Sequence, residues 1–235
     1  MLLSLEKLYP WSEGLHAVLS DYCEEVFTRG EYECIQDFFA ETDFYTAPAS
    51  TRFHLSCPQG LMTHTLNVIR AGEVLVDDFY MQNSDPVNFQ ILHRKIVKCA
   101  TLHDICKVDT YKPTVFNFKE YAPDGDKSDA FGNFKWSQGI RYTYETNFDL
   151  GHGSKSVFLA DACCINLSKE EAQAIYYHMG DFHNMPETSK VFSENRLALL
   201  LHMADLYASS VLDLSAEESQ KYARECLEKN PAIFQ

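Results

Sequence analysis

At 235 residues, with 46% hydrophobic and 23% charged side chains, the chain is ordinary for a globular protein and long enough to bury a sizeable core, as one large domain or a domain with an appendage. Its 34 acidic residues against 20 basic ones, with no run of clustered Lys and Arg, make a surface that repels polyanions and speaks against a non-specific grip on nucleic acid. No apolar run approaches the roughly 20 residues that span a bilayer, and Met1 to Pro10 lacks the hydrophobic region of a signal peptide, so the expectation is a cytoplasmic protein with no membrane partner.

In chain order, two short amphipathic helices are expected over 12–29 and 31–42, the first ending at Gly30. They form an N-terminal helical appendage, 1–55, packed on the side of a main domain, 56–235. Pro48 and Pro58 bracket an irregular stretch. From Leu61 to Phe79 the residues Leu61, Thr65, Val68, Gly72, Leu75 and Phe79 recur at three- and four-residue steps, which predicts a helix with one apolar face. A second such segment runs from Val87 to Lys107, with Leu92, Ile96, Cys99 and His103 on one stripe. Residues 113–150 break the pattern with Gly125, Gly132, Gly139, many aromatic residues and the alternating string Ile140-Arg-Tyr-Thr-Tyr144. They predict a β-hairpin insertion between two helices, either a lid over a site or a surface excursion. Ser168-Lys-Glu-Glu171 is a capping box opening a helix to about Met179. Ser193 to Leu212 is helical in composition, and Ser215-Ala-Glu-Glu218 opens the last helix. The eight cysteines (23, 34, 57, 99, 106, 163, 164 and 226) contain no Cys-x-x-Cys pair, and several fall inside apolar stripes. They read as buried free thiols rather than a zinc ribbon or disulfide framework.

The residues that carry chemistry begin with the adjacent pair His103-Asp104 near the end of a helix. Neighbours on a helix point about 100° apart, so the two can share a metal only where the helix end faces a pocket. His64 lies in Gly60-Leu-Met-Thr-His-Thr65 on the preceding helix, and Asp205 in Leu201-His-Met-Ala-Asp205 on a later one. His152 lies in Gly151-His-Gly-Ser-Lys-Ser156 and His178 in Tyr176-Tyr-His-Met-Gly180. Imidazole and carboxylate together suit Mn, Fe, Ni, Zn or Mg, with imidazole-rich sites tilting toward transition metals.

The ordered set His64, His103-Asp104, Asp205 resembles the defining pattern of HD-domain metal-dependent phosphohydrolases. The string Leu102-His-Asp-Ile-Cys-Lys107 is similar to that family's His-Asp-Ile-Gly-Lys. With His152 and His178 added, residues 55–212 resemble the HD catalytic domain of a bacterial 3′→5′ exoribonuclease family. The resemblance implies an all-α, HD-domain/phosphodiesterase-like helical bundle. It also implies two divalent ions, one held by His64, His103, Asp104 and Asp205, the other by Asp104, His152 and His178. Asp104 and Lys107 would then serve catalysis, with a metal-activated water attacking phosphorus. Two departures stand out. Cys106 replaces the family's glycine, and no oligonucleotide-binding barrel precedes the catalytic region, since the first 55 residues are few and read as helical.

Other residues carry open readings. Lys107, one turn beyond His103, either holds a substrate phosphate or is a cation at a helix C-terminus. Ser154 and Lys155 either bind substrate phosphate at a helix start or supply ordinary capping. His202 either orients a metal ligand or packs in the core. Asp181 and His183 either line the pocket or belong to a loop, and His16, His54 and His93 read as surface or packing residues. Phe131, Phe134, Trp136, Tyr142 and Tyr144 either stack bases or pack the insertion. The expected function is hydrolysis of a phosphate ester in a nucleotide or related small substrate. The alternatives are a 3′→5′ exonuclease on short single-stranded RNA or DNA and a non-catalytic binding module.

Overall fold

The computed structural model describes residues 5–80, 86–146, 148–180 and 187–234. The chain is predominantly helical, with one small antiparallel sheet. The first helices, α1 (Leu15–Val26) and α2 (Arg29–Glu41), meet at Thr28 rather than Gly30. The Thr28 side chain accepts from Glu31 N while Glu31 Oε2 accepts from Thr28 N at 2.9 Å, a capping box that starts α2 and leaves Gly30 inside its first turn. Leu15, Leu19, Ile35 and Phe39 from this pair share the main apolar core with the helices that follow.

α3 (Gly60–Tyr80) and α4 (Pro86–Leu102) pack side by side, and α8 (Arg196–Tyr207) lies against both. Their apolar stripes meet through Leu66, Ile69, Ile96, Ala100, Leu201 and Ala204, all buried. A Cβ on Gly72 would lie 2.7 Å from Ile96 Cγ1, so the glycine is what lets α3 and α4 approach so closely. α3 also buries four polar residues, Thr63, His64, Thr65 and Asn67. The two threonines satisfy themselves on carbonyls one turn back, Gln59 O and Leu61 O. His64 and Asn67 must find partners elsewhere.

α4 ends at Leu102, five residues before the expected Lys107. His103 and Asp104 form a turn, and Ile105–Lys107 is a 3₁₀ turn. The physical cause is capture of the helix end by α5 (His152–Ala162). Ser156 Oγ donates to His103 O at 2.6 Å and accepts from Cys106 N at 3.2 Å, which replaces helical partners with a tertiary one.

The expected hairpin is a three-stranded antiparallel sheet that starts two residues early: β1 (Tyr111–Tyr121), β2 (Lys127–Asp129) and β3 (Gly132–Tyr144), in the order β1-β3-β2. Pro113 is tolerated because β1 is an edge strand. β3 buries Ile140 and Tyr142 in a second, smaller core with Leu55, Cys57, Leu214, Ala223 and Phe234. This seats the sheet on α9 (Ala216–Lys229), which Gln220 ties to Ile140 O at 2.6 Å.

The remaining helices are α6 (Lys169–Tyr177) and α7 (Thr188–Glu194). The Ser168 and Ser215 capping boxes open α6 and α9, though α6 stops two residues short of Met179. The expected 193–212 helix is interrupted. Asn195 ends α7 and caps α8 by accepting from Ala198 N, and a π turn, Ala208–Leu212, follows α8. All eight cysteines are free thiols. Among the described residues no single helix is long and apolar enough to cross a membrane.

Candidate metal centre

The turn after α4 places the Asp104 carboxylate at the meeting point of α3, α5, α6 and α8. Its Oδ1 lies 2.7 Å from His152 Nε2 and 3.7 Å from His178 Nε2. Its Oδ2 lies 3.4 Å from both His64 Nε2 and His103 Nε2, and 2.5 Å from Lys107 Nζ. Asp205 Oδ1 is 3.2 Å from His64 Nε2. The six residues of the sequence pattern, scattered over more than 140 positions, are thus brought together. His64, His103, Asp104 and His178 are buried, and His152 and Asp205 are partly open.

Three of the four imidazoles are held with Nε2 facing inward. His103 Nδ1 donates to Ala100 O and His178 Nδ1 to Ile175 O, each at 2.7 Å and within its own turn. His64 Nδ1 donates to Asp213 Oδ2 at 2.8 Å. These bonds set the ring orientations and leave the Nε2 atoms of His103 and His178 without a proton, while Nε2 of His64, which lies only 3.3 Å from that of His103, faces Asp104 and Asp205. His178 Nε2 is fully buried with no hydrogen-bond partner. Converging imidazole nitrogens and carboxylates, with one nitrogen orphaned, are a set of groups that could hold a cation. The donor set therefore fits a divalent ion of the first transition row.

The electrostatics agree. Burial opposes a charge on His64, yet Asp213, Asp104 and Asp205 overcome it and hold its pKa well above the ordinary value. Burial also opposes ionisation of Asp104, but Lys107 and His103 keep its carboxyl well below the usual range. Burial pulls His152 down to about 4 despite Asp104. In the metal-free protein the His64 imidazolium stabilises the fold below about pH 6.5, its unfolded value, and that contribution fades as pH rises through the raised folded value. An ion at this position must displace the proton. Titrating Mn²⁺ into weakly buffered metal-free protein with a pH indicator should therefore show proton release, and affinity should weaken as pH falls. Uptake of Mn²⁺ without proton release near neutral pH would contradict this.

Several functional candidates lie outside the sequence pattern. Asp213 is fully buried and accepts from His64 Nδ1, His54 Nδ1 (2.7 Å) and Asn67 Nδ2 (2.8 Å). Burial raises its carboxyl, but His64 and His54 win and bring it down to about 2. His54 is accordingly not a mere surface residue. The one local signal was an acid between two leucines, Leu212-Asp-Leu214, just ahead of a helix cap. Asp213→Asn keeps the shape and one acceptor oxygen but loses the charge behind His64. It should weaken metal retention about 10–100-fold with little change in far-UV circular dichroism, as measured by competition with a chelator. Cys106 is the other addition, its Sγ 3.4 Å from His152 Nδ1.

The remaining candidates divide. Lys107 does not share a helix face with His103; it reaches back from the 3₁₀ turn to Asp104. Lys155 is buried and donates to Thr110 Oγ1 at 3.2 Å. α5 begins after Gly151 with no side-chain cap, so Ser154 is not the capping serine. A cleft of about 510 Å³ opens beside the centre, its lining including Lys107, Tyr111, Tyr144, His152, Ser154 and Lys155 along with Cys106. A larger groove of about 750 Å³ at α1, α2 and α4 holds none of the centre's residues, and its Lys98 and Lys95 are paired with Glu31 and Glu170. Of the five aromatic candidates only Tyr144 lines the cleft. Phe131 and Trp136 are exposed on the sheet, Phe134 packs against Tyr121, and Tyr142 belongs to the second core. His202 Nδ1 donates to His178 O at 2.6 Å and its ring stacks on Phe192, a packing role. His16 stacks on Tyr45, and His93 pairs with Glu73. Asp181 and His183 lie outside the described residues.

Compared with family models, curated proteins and solved structures, the chain matches none of them.

Proposed function

We propose that this chain is a divalent-metal-dependent phosphohydrolase of the HD type, cleaving a phosphate ester in a nucleotide or related small phosphorylated substrate. The observation that carries the reading is the Asp104 carboxylate, set among four imidazoles whose Nε2 atoms face it, one of them the orphaned His178 nitrogen. His64, His103, Asp104 and Asp205 would hold one ion, and Asp104, His152 and His178 a second. Bound divalent ions act as Lewis acids on a phosphoryl oxygen and make water a nucleophile near neutral pH.

The chain's own residues do the rest. The backbone carbonyls at Ala100 and Ile175, with Asp213, lock the imidazoles so that no reorganisation is needed when charge develops. Lys107, already drawn to the carboxylate, is the cation nearest the reacting position and would neutralise an oxygen of the departing group. The partly open side of the centre, at His152, faces the cleft, so substrate would enter there. Hydrolysis adds water across a P–O bond and yields a phosphate and an alcohol, with no other reactant. The net charge of −14 favours a small substrate over a long polyanion.

The test is metal analysis of the purified protein, followed by assay with Mn²⁺ and Mg²⁺ against mononucleotides, cyclic nucleotides and short RNA and DNA oligomers. Turnover confined to the small substrates is the expected result, abolished in His103→Ala. Stepwise shortening of oligomers would move the assignment to an exonuclease. Metal binding without any product would leave a binding module.

A further inference from the structure

Resting on the metal-dependent reading above, we propose that Cys106 is a thiolate ligand of the ion on the Asp104 Oδ1 side, making that half of the centre a site for a thiophilic ion of the zinc class. Cys106 sits in the 3₁₀ turn just after Asp104, its backbone N–H fixed by Ser156 Oγ, and the turn carries its sulfur back toward α5. Sγ lies 3.4 Å from His152 Nδ1 and 3.8 Å from Nε2, and the same Nε2 is 2.7 Å from Asp104 Oδ1. One ligand atom from each of Asp104, Cys106 and His152 lies within 4.8 Å of the others. Among the described residues Cys106 is the one cysteine in such a group.

A separate observation points to an ion on the same carboxylate oxygen, from the side that His178 shares with His103 and Asp205. His178 Nε2, wholly buried and without a hydrogen-bond partner, stands 3.7 Å from the same Asp104 Oδ1. Two ligands of one tetrahedral zinc, at about 2.3 Å for sulfur and 2.0–2.1 Å for nitrogen, lie about 3.5 Å apart. The separation of Sγ from Nε2, the nitrogen that faces Asp104, is 3.8 Å, within a few tenths of an ångström of that value. When an ion binds, the S–H bond gives its proton to the buffer and a sulfur–metal bond forms, with no change of oxidation state. A thiolate shifts preference away from Mg²⁺ and Mn²⁺ toward Zn²⁺ and Co²⁺. The other half of the centre, His64, His103 and Asp205, offers nitrogen and oxygen alone.

Cobalt(II) added to the metal-free full-length protein reads this directly. The expected spectrum has visible ligand-field bands together with a near-ultraviolet sulfur-to-cobalt charge-transfer band. Cys106→Ser should keep the visible bands and lose the charge-transfer band, and its preference for Zn²⁺ over Mn²⁺ should fall by at least about tenfold, since loss of even an outer-shell partner costs 10–100-fold. Cys106→Gly serves as the second variant if the serine form does not fold. A wild-type protein with ligand-field bands but no charge-transfer band overturns the thiolate while leaving the metal-dependent reading intact. A charge-transfer band that survives in the variants overturns it too. No cobalt binding at all sinks both.

Discussion

Changing Asp104 to asparagine should abolish phosphate-ester hydrolysis and strip the protein of its tightly held metal. A bound ion supplies several kcal/mol of charge stabilisation, and about 1.4 kcal/mol is a factor of ten. The loss should therefore reach roughly a thousandfold or more. The control is the fold itself, because Lys107, its side chain only 11% exposed, is left without its carboxylate. Breaking one side of a buried pair costs about 3–5 kcal/mol. The double variant Asp104→Asn/Lys107→Met removes the stranded charge, so it should recover thermal stability without recovering metal or turnover. An Asp104→Asn protein that retains full metal content by elemental analysis would remove the basis of the functional proposal.

The second large effect is structural. In Gly153→Ala, the new Cβ would lie 2.3 Å from Tyr176 O and 2.8 Å from the carbonyl carbon. That carbonyl is part of helix α6 and cannot rotate aside, so α5 must move away from α6. Overpacking costs about 1–3 kcal/mol and occasionally more. The upper end applies here because the clash is with backbone. The gain of about 1 kcal/mol in helix propensity offsets only part of it. At about 2–4 °C per kcal/mol for a chain of this size, Tm should fall by about 4–8 °C. His152 and His178 flank this contact on either side, so metal retention should fall with it. Gly30→Ala is the matched control: nothing lies within 4 Å of its Cβ position inside α2, and it should be neutral or mildly stabilising. Equal melting of the two variants would contradict the close approach of α5 and α6.

What could be read from the chain alone was what short-range physics dictates. The Ser168 and Ser215 capping boxes act over three residues, and the α3 stripe over a few turns, so both are visible in the letters. The end of α4 was not visible. Ile105 and Cys106 are buried and continue the apolar pattern, while the bond that stops the helix comes from Ser156, fifty residues away. β2 is three residues long, too short for an alternation to declare itself. The Thr28 box was present in the letters but overshadowed by Gly30. Within the site, ligand-type residues in a recognisable order could be proposed as a set. Asp213, His54 and Asn67 could not, since their meaning is a hydrogen-bond network closed across 146 to 159 positions.

Leu214 belongs to the small core under the sheet, and its carbonyl accepts from Leu55 N at 2.9 Å, one residue beyond the carboxylate that steadies His64. The C-terminal helix is therefore joined to the back wall of the centre by the peptide unit that directly follows Asp213. Prising α9 loose, by a nick or by heat, would slacken His64 at the same moment, so the tail and the histidine cluster should unravel together rather than in turn.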